Sequence, residues 1–341
     1  MENNALVLTN KNEVKVQVLA MPQPKADEVV LEIAYAGICG TDKHLFAGLP
    51  GSADVTYPRV LGHENSGTVV AIGENVQKLA VGDRVAIDPN IYCGDCDYCR
   101  AQEPELCENL SAVGVTRDGG FENYTTAPAK VVYKIADNVS LKAAAMTEPL
   151  SCVVHGIDLL TLKPHQKAIV LGDGFIGQMF IQALKAYGVH HVAVSSRKVS
   201  DAQHVELLKS MGADTVVDGN AKEFADNYHI VIEAVGSSFT QEQAVANAEK
   251  GGQVLMFGVG NPDQTFTISS YAVFAKQLKI QGSFINPYSF QDSLALLASG
   301  KIDVERLISH ELSFAQVPAY LANKFDESVN KAVINLQKIN G

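Results

Sequence analysis

No stretch of the sequence approaches the roughly 18 consecutive apolar residues that a bilayer-spanning helix needs, so no membrane span is expected. Lys and Arg nowhere form a run long enough to make a basic patch, and 27 of them face 38 Asp and Glu, for a net charge of -11. A field of that sign repels phosphate backbones and anionic lipid, which excludes nucleic acid and membrane as expected partners. Met1-Glu2-Asn3-Asn4 lacks the basic segment and apolar core of a secretory signal, and the expected address is the cytoplasm. Proline is sparse, 12 residues against 27 glycines, while 47% of the chain is hydrophobic and 19% charged. That profile excludes a disordered, collagen-like or low-complexity chain, and 341 residues suit two globular domains. Cysteine is also scarce, at six residues, yet four of the six crowd between Cys93 and Cys107. In a reducing compartment such a crowd reads as metal ligands rather than disulfides.

The first part of the chain is β-rich. Val14 to Leu19, Glu28 to Ala34, Gly67 to Ile72 and Arg84 to Ile87 are short runs rich in Val, Ile and Ala, broken by turn residues. The rhythm changes near Lys163. Ala168 to Leu171 is a continuous apolar run, as expected of a strand buried on both faces of a parallel sheet, and a helical pattern follows. Further runs at 191–194, 215–217, 229–232, 253–257 and 278–281 alternate with helix-like stretches such as 202–211 and 241–248. Six strands alternating with helices predict an α/β fold with a doubly wound parallel sheet. A last helix is expected at 290–298 and a short apolar segment at 331–336.

The run at Ala168 enters Gly172-Asp173-Gly174-Phe175-Ile176-Gly177 and then a helix. In a G-x-G-x-x-G loop the glycines permit the tight turn, close approach of backbone to a pyrophosphate, and close helix–strand packing. The helix N-terminus adds free N–H groups and partial positive charge. The next strand ends in Ser195-Ser196-Arg197-Lys198, where an acid would select the ribose of NAD. Hydroxyls beside cations suit the 2′-phosphate instead, so NADP is the preferred cofactor and NAD the possible one. Val259, after the fifth strand, is a further expected cofactor contact.

Cys93, Cys96, Cys99 and Cys107 have C-x2-C-x2-C-x7-C spacing, which can surround one Zn²⁺ tetrahedrally and leave no open position. An iron–sulfur cluster takes the same ligand type, although the uneven last spacing fits zinc better. Three other places offer scattered donors: Cys39 with Thr41 and His44, His63 with Glu64, and Glu148 in Thr147-Glu148-Pro149-Leu150. Taken singly these are a buried thiol, a core histidine and helix-end acids.

In this order, ahead of the glycine loop, and together with Gly82-Asp83-Arg84-Val85 and Gly119-Gly120-Phe121-Glu122-Asn123-Tyr124, these motifs resemble the zinc-containing medium-chain alcohol dehydrogenases. The resemblance implies a GroES-like catalytic domain at 1–152, with a structural-zinc lobe at about 88–112, a Rossmann domain at 153–286, and a return to the catalytic domain at 287–341. The active site would lie in the cleft between them. The third zinc position, Cys in many alcohol dehydrogenases, matches Glu148 here, and neighbouring Cys152 does not occupy it. That resembles the sorbitol and polyol dehydrogenase branch. It departs from the many NAD-linked members that carry Asp at the strand end. The implied roles are Cys39, His63, Glu64 and Glu148 around a catalytic Zn²⁺, either acid acting directly, through water or exchangeably. Thr41, the cofactor ribose and His44 would carry the proton. The implied reaction is hydride transfer between a polyol, possibly phosphorylated, and NADP(H) in a homodimer or homotetramer. Lys43, Arg59 and Arg117 are the cations a phosphate would call on. A secondary-alcohol or threonine-type dehydrogenase, and a catalytically silent NADP-binding protein, are the alternatives.

Overall fold

The computed structural model describes residues 2–338. Its chain forms two compact units, one running to Ser151 and resuming at Asn286, the other spanning Cys152–Ile285.

The first unit is built on the strand Glu28–Ile38. It pairs antiparallel with Glu64–Ile72, with Tyr124–Pro128 and, at its far end, with Ala332–Asn335. Residues from the two ends of the sequence thus lie side by side, Ile38 opposite Ala332 and Gly37 opposite Glu64. The sheet continues through Arg84–Ile87 and Val132–Lys134 on one side and His310–Leu312 on the other. Leu31, Ile33, Val69, Ile87, Phe121 and Ile334 are buried in one apolar cluster. Each such side chain contributes roughly 1.5–3 kcal/mol by leaving water, which fixes the register because a one-residue slip would turn them outward. The strand Asn3–Asn10 belongs to a separate three-stranded sheet with Glu13–Leu19 and Arg59–Val60.

The second unit is a six-stranded parallel sheet. Lys167–Leu171 is central; His191–Ser196 and then Thr215–Asp218 lie on one side, and Tyr228–Glu233, Ala248–Met256 and Lys279–Gly282 on the other. Ala168 to Leu171 are fully buried, as a strand covered on both faces requires. Strand order reverses on either side of Lys167–Leu171, and the crevice beyond the strand ends at such a point is where ligands of doubly wound sheets bind. The helix expected at 241–248 instead spans Ser238–Ala246, because the Ser237 side chain accepts from Thr240 N and starts it earlier. Asp201 likewise caps Ala202–Ser210 by accepting from Gln203 N and His204 N. No helix among the described residues is long and apolar enough to cross a membrane.

Candidate metal and cofactor sites

Cys39 ends the strand Glu28–Ile38 and is the N-cap of the helix Gly40–Phe46. Asp42, in the first turn, reaches back: its Oδ2 accepts from Cys39 N at 2.8 Å and its Oδ1 from Gly62 N at 3.3 Å. The same Oδ1 lies 3.5 Å from His63 Nδ1. Gly62 has φ +95, and a Cβ there would strike the Phe121 ring, so only glycine can deliver His63 to this place. One donor atom each from Cys39, His63 and Glu64 lies within 4.8 Å of the others. Gly37 faces them across the sheet, and a Cβ on it would fall 1.8 Å from Glu64 Oε2.

The electrostatics are concentrated. Burial alone would lower the pKa of His63, yet the neighbouring Asp42 and Cys39 hold it well above the ordinary imidazole value. Glu64 is fully buried, and Lys331 Nζ lies 2.6 Å from its Oε1 while also donating to the Ile38 carbonyl. Burial disfavours the Lys331 ammonium, but Glu64, Cys39 and Glu148 keep its pKa above the usual lysine value. A thiolate, an imidazole and a carboxylate are all donors that zinc, a borderline ion, takes, and three protein ligands are what a catalytic zinc site has. The donor set fits that ion.

The four residues expected around the metal are therefore not equally placed. Glu148 is buried on the helix Thr147–Asp158 but is not in the group within 4.8 Å; its charge still reaches Lys331 and Asp88. Thr41 Oγ1 is 3.9 Å from Cys39 Sγ, and His44 lies one turn further along the same helix, half-buried. Arg59 is paired with Asp118 at 3.0 Å and Arg117 with Glu28 at 2.5 Å, so neither is a free cation. Lys43 Nζ sits 4.0 Å over the Tyr320 ring and donates to Asn323.

Cys93, Cys96, Cys99 and Cys107 form the second group within 4.8 Å. Backbone N–H groups already point at sulfur: Cys96 N donates to Cys93 Sγ and Cys93 N to Cys107 Sγ, both at 3.4 Å. Backbone donors from Cys99 and Glu108 bring the Cys96 thiol down to about 7. Four thiols converging with amide donors around them fit a closed tetrahedral zinc site.

In the second unit Gly172 has φ +104, and a Cβ on Gly177 would meet the Gly172 carbonyl at 2.0 Å. Gly174, the N-cap of the helix Phe175–Ala186, faces open space. Two glycines thus close the turn and the third leaves backbone free for a ligand. Phe175 is buried and Ile176 half-buried. Both serines at the end of the second strand are buried: Ser195 Oγ accepts from Gly172 N, while Ser196 Oγ donates to Asp173 and accepts from Lys198 N. Arg197 is exposed, as is Val259 in a loop whose carbonyl closes on Gly236.

Sequence reasoning missed Asp42, Lys331 and Asp173. Asp42 carried a signal, an acid three residues after the N-cap position, which is the capping-box spacing. Lys331 carried none, lying 267 residues from Glu64.

Residues 25–137 match the family model described as an alcohol dehydrogenase GroES-like domain, and residues 176–299 that described as a zinc-binding dehydrogenase. The chain is 32% identical over 317 residues to D-arabinitol dehydrogenase 1 of Uromyces fabae, covering 89% of this chain and 86% of that one. It is 33% identical over 303 residues to D-arabitol-phosphate dehydrogenase of Enterococcus avium, covering 85% of each. Among solved structures, a zinc-binding dehydrogenase of Sinorhizobium meliloti 1021 bound to NADP superposes with a TM-score of 0.92 at 32% identity, over 98% of this chain and 99% of that one.

Proposed function

Because this chain belongs to the zinc-containing medium-chain alcohol dehydrogenases and is an oxidoreductase, we propose that it transfers hydride between NADP(H) and a polyol or sugar alcohol. NAD(H) is the secondary cofactor. The observation that carries the reading is the convergence of Cys39, His63 and Glu64 within 4.8 Å from two separate stretches of chain. These residues would hold a catalytic zinc, which when bound supplies a Lewis acid that lowers the pKa of a substrate hydroxyl. Asp42 orients the His63 ring, as carboxylates behind metal-bound histidines do. Lys331 neutralises Glu64, leaving that acid exchangeable rather than permanently committed to the metal. Glu148, outside the tight group, acts through water or as an exchangeable ligand. The Thr41 hydroxyl would accept the substrate proton, with His44 one turn further along the same helix as the onward acceptor. Cys93, Cys96, Cys99 and Cys107 hold a structural zinc that pins the lobe between residues 88 and 112. The glycine loop binds the pyrophosphate, and exposed Arg197 is the cation for a 2′-phosphate, with Ser195 and Ser196 beside it holding the loop through Gly172 N and Asp173. Reduced thiols at both metal sites suit the cytoplasm, and a homodimer or homotetramer is the expected assembly.

Arg59 and Arg117 are committed to Asp118 and Glu28, while Lys43 Nζ contacts Tyr320 and Asn323 and no acid among the described residues, so the reading takes in both a polyol and its phosphate. The test is a set of initial rates with NADP and NAD over D-arabitol, sorbitol, xylitol, D-arabitol phosphate, threonine and 2-propanol. The reading expects a polyol to exceed threonine and 2-propanol in kcat/KM by at least about tenfold. Absence of turnover on every polyol and polyol phosphate would sink it.

A further inference from the structure

The strand His191–Ser196 ends without an acid, yet the structure puts one at its tip. Leu171 pairs with Ser195 in the parallel register, so the glycine loop lies beside Ser196. From that loop Asp173 Oδ2 accepts from Ser196 Oγ at 2.6 Å, and His204 Nε2, from the first turn of the helix Ala202–Ser210, lies 2.5 Å from the same oxygen. The Asp173 side chain is 25% exposed, and its Oδ1 has no hydrogen-bond partner among the described residues. Two groups therefore hold one carboxylate oxygen of a partly exposed side chain at the strand end.

We infer that Asp173, held by Ser196 and His204, is the cofactor-discriminating residue of this chain, supplying from the glycine loop the ribose acceptor missing from the strand. The inference rests on the nucleotide reading of the glycine loop given above. A carboxylate accepts from a ribose 2′-hydroxyl and repels a 2′-phosphate, whereas the exposed Arg197 next to Ser196 attracts the phosphate. The two serine hydroxyls that would otherwise serve a phosphate are turned inward, Ser195 to Gly172 N and Ser196 to Asp173. Selectivity is then the difference between Asp173 and Arg197 rather than a property of the Ser-Ser-Arg-Lys run, and both cofactors bind.

The test is calorimetric titration of NADPH and NADH into wild type, Asp173→Asn, His204→Gln and Arg197→Ala. Asp173→Asn keeps the shape and removes the charge, and should tighten NADPH relative to NADH by about tenfold. His204→Gln replaces one of the two groups that hold the Asp173 Oδ2 atom and should change the ratio several-fold; it serves as the test if Asp173→Asn fails to fold. A ratio unchanged in both variants, while Arg197→Ala still weakens NADPH, overturns the role of Asp173 alone. Failure of wild type to bind either nucleotide overturns the cofactor reading and this inference with it.

Discussion

Asp42 touches three things at once: the amide that starts its own helix, the amide of Gly62, and the flank of the His63 ring. It is fully buried, so each of these contacts replaces water it has lost. Replacing it with Asn keeps the volume but puts an amide donor where only acceptors serve. Asp42→Asn should lower affinity at the Cys39–His63–Glu64 centre by about 10–100-fold, the usual cost of removing such a partner. Competition with a chromophoric chelator measures this, and wild-type affinity in the variant would show that Asp42 only caps the helix. Glu64 and Lys331 show the limit of reading residues in sequence. His63-Glu64 is visible as an adjacent imidazole and acid, but the buried cation that makes a buried carboxylate tolerable comes from the other end of the chain.

At the scale of elements, local patterns were legible where one short stretch carries the whole signal. The run Ala168 to Leu171 with its glycine loop, and four cysteines within 15 residues of chain, each specify a strand, turn or ligand set without help from elsewhere. Strand ends were less legible. Glu28–Ile38 runs four residues past its expected end, because Tyr35 to Gly37 pair with Glu64 to Ser66 on one side and receive Ala332–Asn335 from the far end of the chain on the other. The strand Asn3–Asn10 shows another long-range tie. Asn3 donates to the Glu122 carboxylate at 3.0 Å and accepts from Tyr124 N, fastening one sheet to another. Burial pushes the Glu122 carboxyl up to about 8 from an unfolded value near 4.5. Because the folded-state value is the higher one, its contribution to stability is complete below about 4.5 and is lost as pH rises through about 8. Glu122→Gln cannot ionise, so its melting temperature relative to wild type should rise by several degrees between pH 5 and pH 9. An equal difference at both pH values would mean that Glu122 does not hold its proton in the folded state.

For the whole molecule, the sequence order is not the spatial order. A β-rich unit is begun, left for Cys152–Ile285, and completed by residues after Asn286. The alternating pattern of the inserted unit made its sheet legible, whereas the first unit's sheet needs strands from both ends of the chain, whose pairing no local pattern encodes. The same holds for the metal donors. The cysteine lobe is contiguous, but Cys39 and His63 come from separate stretches, where Gly37 leaves room for the Glu64 side chain and Gly62 for the Phe121 ring.

In the proposed function, Cys39, His63 and Glu64 hold a metal centre separate from the four-cysteine lobe. Zinc content of purified, folded protein, measured by elemental mass spectrometry on wild type and Cys39→Ser, tests it most directly. About two zinc ions per chain in wild type and about one in Cys39→Ser is the predicted result. Equal zinc in the two proteins would contradict it.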